Sequence, residues 1–268
     1  MEMWRLIKDG PGDGALNMAT DRAILAACDE GKAPPTLRLY GWKEPTLTVG
    51  YSQNSNRDID LDRCQSLGIP VIDRPTGGRA LLHDKELTYS LVAPIPHPQF
   101  PSSLRASFKV ISGALLFSLD QLGIQNTAMA EVRKTSANGR SPSCFSSLNH
   151  CEIIVNNKKL IGSAQRRKSR SFLQHGSLWM DCDRALMNSL FRFDLPKMRK
   201  ANLEILARHT VSLNQLLERE VRFDEVELAF CAGFMRALPG EWERGKLSAY
   251  EMNLRDLYLS QLLSQKDE

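Results

Sequence analysis

Strand-like and helix-like stretches alternate irregularly along this 268-residue chain, without the strict strand-helix-strand order of a doubly wound parallel sheet, and this predicts an α+β fold. Two observations sharpen the prediction. Residues 151 to 155 read as the first strand of a hairpin turning at Asn156-Asn157, and from Asp183 onward the pattern becomes mainly helical. The whole chain, 1–268, is expected to form a single domain whose part from 182 to 268 is mainly helical.

Taken in order, Trp4 to Ile7 reads as a short strand and Asp9-Gly10-Pro11-Gly12 as a dense turn signal. Asp13 then caps a helix in which Leu16, Ala19, Ala23, Ala26 and Ala27 recur at helical spacing until Gly31. Thr36 to Tyr40 and Thr46 to Val49 are strands, Asp60 to Leu67 is a short helix closed by Gly68, and Pro70 to Asp73 is a further strand. A long helix spans Pro101 to Leu122, capped by Ser102 or Ser103, with Leu104, Phe108, Ile111, Leu115, Leu119 and Leu122 on one mostly buried stripe. Residues 131 to 143 are polar and aperiodic, as expected of an exposed, mobile loop, and Cys144 stands at its end. Residues 151 to 155 form a strand ending at Asn156-Asn157, amides that tolerate the left-handed conformation a tight turn needs. The returning strand delivers Lys159. Phe172 to Met180 is another strand, and Leu213 to Leu217, Val226 to Leu238 and Tyr250 to Leu263 are helices.

Hydrophobic residues at 42% and charged residues at 25% are ordinary for a soluble globular protein and exclude collagenous or disordered classes. A formal charge of +4 permits an acidic macromolecular partner but is too weak to argue for nucleic acid. Cysteines at 28, 64, 144, 151, 182 and 231 show no Cys-x-x-Cys metal pair, so no metal is expected and a reducing cytoplasm fits best. The start Met1-Glu2-Met3-Trp4-Arg5 lacks a signal peptide's pattern, and no window reaches membrane-spanning length.

Two blocks carry the candidate chemistry. Arg74-Pro75-Thr76-Gly77-Gly78-Arg79 leads to His83, and a glycine pair between two arginines can offer backbone N–H groups and guanidinium forks to an anion or a carbonyl. Taken alone such a loop is more often simply a turn, and it lacks P-loop spacing. Lys159 precedes Gly162-Ser163-Ala164, whose small side chains suit close approach of a ligand or another backbone, and His175-Gly176 follows on the next strand. A thiol at Cys144, the Lys159 amine and a small-residue surface thus come to share one site. An ordinary cysteine has a pKa of about 8.5, so a nearby ammonium increases the thiolate population. Cys28, Cys64, Cys182 and Cys231 read instead as small buried hydrophobes.

These blocks resemble the lipoyl and octanoyl transfer family, which includes lipoate-protein ligases and octanoyltransferases and shares a catalytic fold with biotin-protein ligases. The likeness rests on 74 to 84, on Lys159-Leu160-Ile161-Gly162-Ser163-Ala164-Gln165 and on His175-Gly176-Ser177-Leu178, with support along nearly the whole chain. Ser143-Cys144-Phe145 resembles the nucleophile segment of the cysteine-dependent, Bacillus-type octanoyltransferases. Cys151, in place of a common aromatic residue, and Thr20-Asp21-Arg22, in place of a more acidic segment, depart from the pattern.

The resemblance implies a mixed, mostly antiparallel sheet covered by helices, with Cys144 and Lys159 catalytic. It implies substrate contacts from Arg74, Thr76, Gly77, Gly78, Arg79, His83, Gly162, Ser163, Ala164, His175 and Gly176. Acyl carrier protein would be the donor, and a lipoyl-domain lysine, as on the glycine cleavage H protein, the acceptor. No cofactor is then required. Two other readings stand beside it: an ATP- and Mg-dependent lipoate ligase working through an acyl-adenylate, and a noncatalytic regulator on the same fold. The basic run Arg166-Arg167-Lys168-Ser169-Arg170 would ordinarily be a solvated turn, and here it also suits docking of an acidic carrier.

Overall fold

In the computed structural model, which describes residues 2–130 and 152–264, a large mixed sheet organises the molecule. Its strands are β1 (Met3–Gly12), β2 (Thr36–Trp42), β6 (Glu86–Pro94), β7 (Thr127–Met129), β8 (Ile153–Val155), β9 (Lys158–Arg167), β10 (Ser171–Trp179) and β11 (Glu241–Arg244), in the order β11-β1-β2-β6-β10-β9-β8-β7. A second sheet of β3 (Thr46–Gly50), β4 (Val71–Arg74) and β5 (Leu81–His83) has the order β4-β3-β5. Among the described residues six of the nine strand pairs are antiparallel. The mixed, mostly antiparallel architecture expected from the sequence is therefore the one observed.

The large sheet has two unlike faces. One carries Leu37, Leu39, Leu87, Tyr89, Leu91, Phe172 and Leu178 into the main core, against Ile111, Leu115 and Leu119 of α4 (Leu104–Gln121) and Phe230 and Phe234 of α8 (Phe223–Ala237). The other packs Ile7, Val92 and Leu173 against Ile24, Leu25 and Cys28 of α1 (Gly14–Asp29). Near α1 and the small sheet, that second face is lined with polar side chains. The functional candidates lie there.

Local signals explain most element ends. Asp13 accepts hydrogen bonds from the Ala15 and Leu16 amides and starts α1, and Gly31 just beyond it has φ +72°. Ser103 accepts from the Ala106 amide and starts α4. Asn156 and Asn157, at φ 49° and 63°, make the tight turn between β8 and β9. Asp60 caps α3 (Leu61–Ser66), which follows α2 (Ser55–Asp58).

Three expectations need correction. Asp9-Gly10-Pro11-Gly12 is not a turn: it lies inside β1, where the register with β2 shifts between Lys8 and Gly10, and Gly10 at φ +65° absorbs the irregularity. Leu104 is 51% exposed because it occupies the first position of α4, short of the core that takes Ile111 and Leu115. The helical C-terminal part, with α7 (Leu213–Leu217), α8 and α9 (Ala249–Ser264) as expected, also holds α5 (Arg184–Ser189), α6 (Pro196–His209) and β11. Helix α6 buries only Asn202 and Leu206, too few positions to leave an apolar stripe in the sequence. No described helix is long and apolar enough to cross a membrane.

Candidate active site

Neighbouring strands bring the two sequence blocks together. On β10, His175 pairs with Ala164 of β9 and with Ser90 of β6, and Ser177 pairs with Gly162 and Thr88, so these residues share the α1 face of the large sheet. The loop after β4 and strand β5 close over them. A cavity results, lined by Met18, Tyr40, Arg74, Leu81, His83, Thr88, Gly162 to Ala164 and His175 to Ser177.

Each histidine of the cavity is held at both ring nitrogens. His175 Nδ1 faces Asp21 Oδ2 at 3.3 Å and its Nε2 faces Thr76 Oγ1 at 2.6 Å. Burial pushes His175 below the usual histidine range, and Arg74 and His83 act in the same direction while Asp21 opposes them. The neutral ring then donates from Nδ1 to Asp21 and accepts the Thr76 hydroxyl proton at Nε2. Asp21 also accepts from Arg38 Nη1 and from the Tyr40 hydroxyl, each at 2.9 Å. Burial alone would raise Asp21, but the His175 hydrogen bond and the Arg38 charge hold its carboxyl below the usual range. His83 Nδ1 lies 2.8 Å from Glu86 Oε1 and its Nε2 lies 2.7 Å from Thr48 Oγ1, while the Trp42 ring stacks on it at 4.1 Å. These are fixed cavity walls, each ring pinned in orientation.

Gly176 is required by close packing. A Cβ there would fall 2.5 Å from Ser163 Oγ and 2.6 Å from Tyr89 Cε1. Ser163 itself turns its hydroxyl to Tyr89 OH, 2.7 Å away on the core face, so only Gly162 and Ala164 present side-chain positions to the cavity.

Lys159 reaches the same face through a break in the hairpin. Ile153 opposes Ile161 while Ile154 opposes Lys159, leaving Leu160 as an extra residue. Leu160, Ile161 and Ile153 all join the core beneath α4 and α8, and the bulge turns Lys159 toward the α1 face. There its fully buried ammonium meets the buried Glu152 carboxylate at 2.5 Å. A buried charge is tolerated when paired and hydrogen-bonded, as here.

The glycine loop is held together by its own arginine. Arg74 spends its fork on the protein's own backbone: it donates to Gly77 O at 2.8 Å, to Arg79 O at 2.7 Å and to Thr48 O at 3.3 Å. It shapes the loop, and Gly78 at φ +95° has no room for a Cβ beside Arg74 Nη2. Gly78 and Arg79 line a separate pocket with Arg57 and Arg192. Thr76 acts through His175, and Gly77 contributes a carbonyl to Arg74. Cys144 and Cys151 lie outside the described residues, as does the loop expected at 131 to 143. The four described thiols are raised by burial, Cys28 to about 12 and Cys64 and Cys182 to about 11, with Cys231 raised as well.

Asp21, Arg38, Glu86 and Glu152 join the site face although none of them stands out as a site residue in the sequence. Their signal was available as charges set within apolar stretches: Arg38 between Leu37 and Leu39, and Asp21 on the alanine-rich α1.

A cavity on a mixed sheet, walled by small residues and oriented histidines, with a buried amine on the same sheet face, marks a class of proteins that take a small ligand between their two sheets. The family profile described as the lipoyl protein ligase A/B catalytic domain matches residues 13–235. The chain belongs to that family. It is 39% identical, over 98% of its length and 97% of the relative's, to the octanoyltransferase LipM of Kyrpidia tusciae. It is 36% identical to the octanoyltransferase LipM of Bacillus subtilis, over 94% and 92% of the two chains. Among solved structures, the bipartite lipoate protein ligase of Thermoplasma acidophilum, studied with its E2 lipoyl domain, superposes with a TM-score of 0.80 at 22% identity, covering 97% of this chain and 93% of that one. A lipoate-protein ligase A bound with ATP gives 0.77 at 23% identity, covering 97% and 95%. Both share this fold.

Proposed function

We propose that the protein is an octanoyltransferase of protein lipoylation: it takes an octanoyl group from acyl carrier protein as a thioester on Cys144 and passes it to a lysine of a lipoyl-domain protein such as the glycine cleavage H protein. The observation that carries this reading is the full-length likeness to octanoyltransferases at 33–39% identity. The buried Lys159 on the cavity face supports it, as does the state of the other thiols: burial keeps Cys28, Cys64, Cys182 and Cys231 protonated near neutral pH. In this reading the whole chain is one catalytic unit working in the cytoplasm.

The chemistry balances without ATP. The Cys144 thiolate attacks the donor thioester carbonyl and expels the carrier thiol, an exchange of one thioester for another. The acceptor lysine then attacks the Cys144 thioester and forms an amide, a downhill step that returns the thiolate. An acceptor amine arrives protonated and must lose a proton before attack, and the Lys159–Glu152 pair is a buried amine and carboxylate sharing one hydrogen bond, able to relay it. The acyl chain takes the cavity beneath His83 and His175. That cavity has room of only about 30 Å³, near that of one water, so its walls must part for the chain to enter.

The test is intact mass after incubation with octanoyl carrier protein and no ATP. A hydroxylamine-labile octanoyl adduct on Cys144 is expected, absent in Cys144→Ser, whose hydroxyl is far harder to ionise. Full transfer by that variant would sink the mechanism. An acyl-adenylate formed from free acid, ATP and Mg, with no thioester, would favour the ligase reading instead.

A further inference from the structure

Beside the acyl cavity, sharing Arg74 with it, lies a second pocket of about 240 Å³ lined by Arg22, Leu25, Tyr51, Arg74, Pro75, Arg166, Lys168 and Tyr258. Every charged side chain in its wall is a cation. Arg22 donates to the Asp73 carbonyl at 2.9 Å and Arg166 to the Pro75 carbonyl at 3.0 Å, and among the described residues neither forms an ion pair. The Arg166 guanidinium also sits 5.2 Å above the ring of Tyr51. Burial pushes Arg22 down from the usual arginine range and the nearby Arg166 charge adds to the effect, with Asp73 opposing. Two guanidiniums are thus fixed within each other's field by neutral carbonyls, one of them partly withdrawn from water. Among the described residues no carboxylate forms an ion pair with either, and an anion could engage both through charge-assisted, bidentate hydrogen bonds.

We infer that this pocket binds the phosphate of the donor's pantetheine arm, anchoring the carrier-borne thioester while its acyl end enters the neighbouring cavity. The inference rests on the transferase reading for the identity of the donor. The Arg74-to-Arg79 loop is the partition: Thr76 faces inward to His175, and the Pro75 carbonyl faces outward and holds Arg166. An arm passing over Pro75 therefore meets acyl-binding walls on one side and the Arg22 and Arg166 guanidiniums on the other. A phosphodiester suits the second side because it carries a negative charge on oxygens that accept two guanidinium forks. Arg167, although next to Arg166, belongs elsewhere: its guanidinium donates to Ser102 O, Ser103 O and Ser107 Oγ and ties β9 to the start of α4.

The experiment is calorimetric binding of 4′-phosphopantetheine and of pantetheine, neither acylated, to the whole protein at low salt. The phosphorylated arm should bind at least about tenfold tighter, with the advantage shrinking as salt rises. The Arg22→Gln/Arg166→Gln pair should bind both compounds alike. The exposed pair Arg166→Gln/Lys168→Gln, which leaves partly buried Arg22 in place, should lose part of the preference and serves if the first fails to fold. Equal affinities in the unaltered protein, or a preference undiminished by the substitutions, overturns the assignment. So does AMP competing more strongly than phosphopantetheine, which would give the pocket to a nucleotide phosphate. Because nothing is transferred in this assay, a retained phosphate preference alongside failed octanoyl transfer would remove the transferase reading and keep the anion site.

Discussion

Strand β9 has two ends that carry the same charge under opposite conditions. At one, Lys159 is fully buried and locked to Glu152 at 2.5 Å; at the other, Arg166 and Lys168 are exposed and form no ion pair among the described residues. A buried charge without its partner costs several kcal/mol, whereas an exposed one contributes about 0–1 kcal/mol to any pairing. The first end can therefore hold one proton arrangement rigidly for chemistry. The second can trade water for an anion at little cost, which suits recognition.

The largest expected effect falls on the buried end. Lys159→Arg keeps the charge beside Glu152 but cannot give up a proton near neutral pH, so the two half-reactions should separate. Acylation of Cys144 should persist at a reduced rate, while transfer to the acceptor lysine drops by roughly 10²- to 10⁴-fold. Single-turnover rates for each half-reaction decide it, and equal losses in both would assign Lys159 to binding or charge alone.

Stability should show the same asymmetry. Lys159→Met takes the ammonium away from the buried Glu152 carboxylate and should cost about 3–5 kcal/mol in urea unfolding, and adding Glu152→Gln should restore much of it. Arg166→Met should change stability by less than about 0.5 kcal/mol. A comparable cost at both ends would erase the contrast.

Midway along the strand, the Ala164 partner His175 gives a pH signature. Its folded pKa lies below the unfolded value, so the unfolded chain binds the proton first and stability falls as pH drops below about 6.5. Asp21, also depressed, should add a second loss below about pH 4, as the unfolded carboxyl takes up its proton. His175→Gln should flatten the first loss and, because the His175 hydrogen bond helps depress Asp21, shrink the second as well, as followed by denaturation midpoints between about pH 2 and 8.

The smallest effect belongs to the rim. Reversing Arg166 and Lys168 to glutamate should slow capture of an acidic carrier protein several-fold at low salt, with a weaker salt dependence. Unchanged association rates would return this end to an ordinary solvated turn. Arg167 is a poor choice for such a test, since reversing it would also cut the three hydrogen bonds that anchor β9 to the α4 start.

What the sequence made legible was local chemistry. Asn156-Asn157 announced the hairpin because amides tolerate positive φ, Asp13 and Ser103 announced helix starts, and Gly162 to Ala164 with His175-Gly176 marked the tight seam between two strands. What stayed hidden depends on where a distant chain arrives. That Arg74 would meet the carbonyls of Gly77, Arg79 and Thr48 follows from the closed path of the loop, which no residue type states. Glu152 reads as an unremarkable charge before a strand until a register break brings Lys159 to it.

Lys158 and Lys159 are chemically identical neighbours, and composition cannot choose between them. Counting back from Ile161 by strict two-residue alternation would send Lys158 to the His175 face and Lys159 to the opposite one. The extra residue at Leu160 reverses that parity, leaving Lys158 exposed and Lys159 withheld from water. The choice of amine is made by the length of the chain, so a relative or a redesigned strand that keeps both lysines but loses the irregularity would carry the right residues at the wrong address.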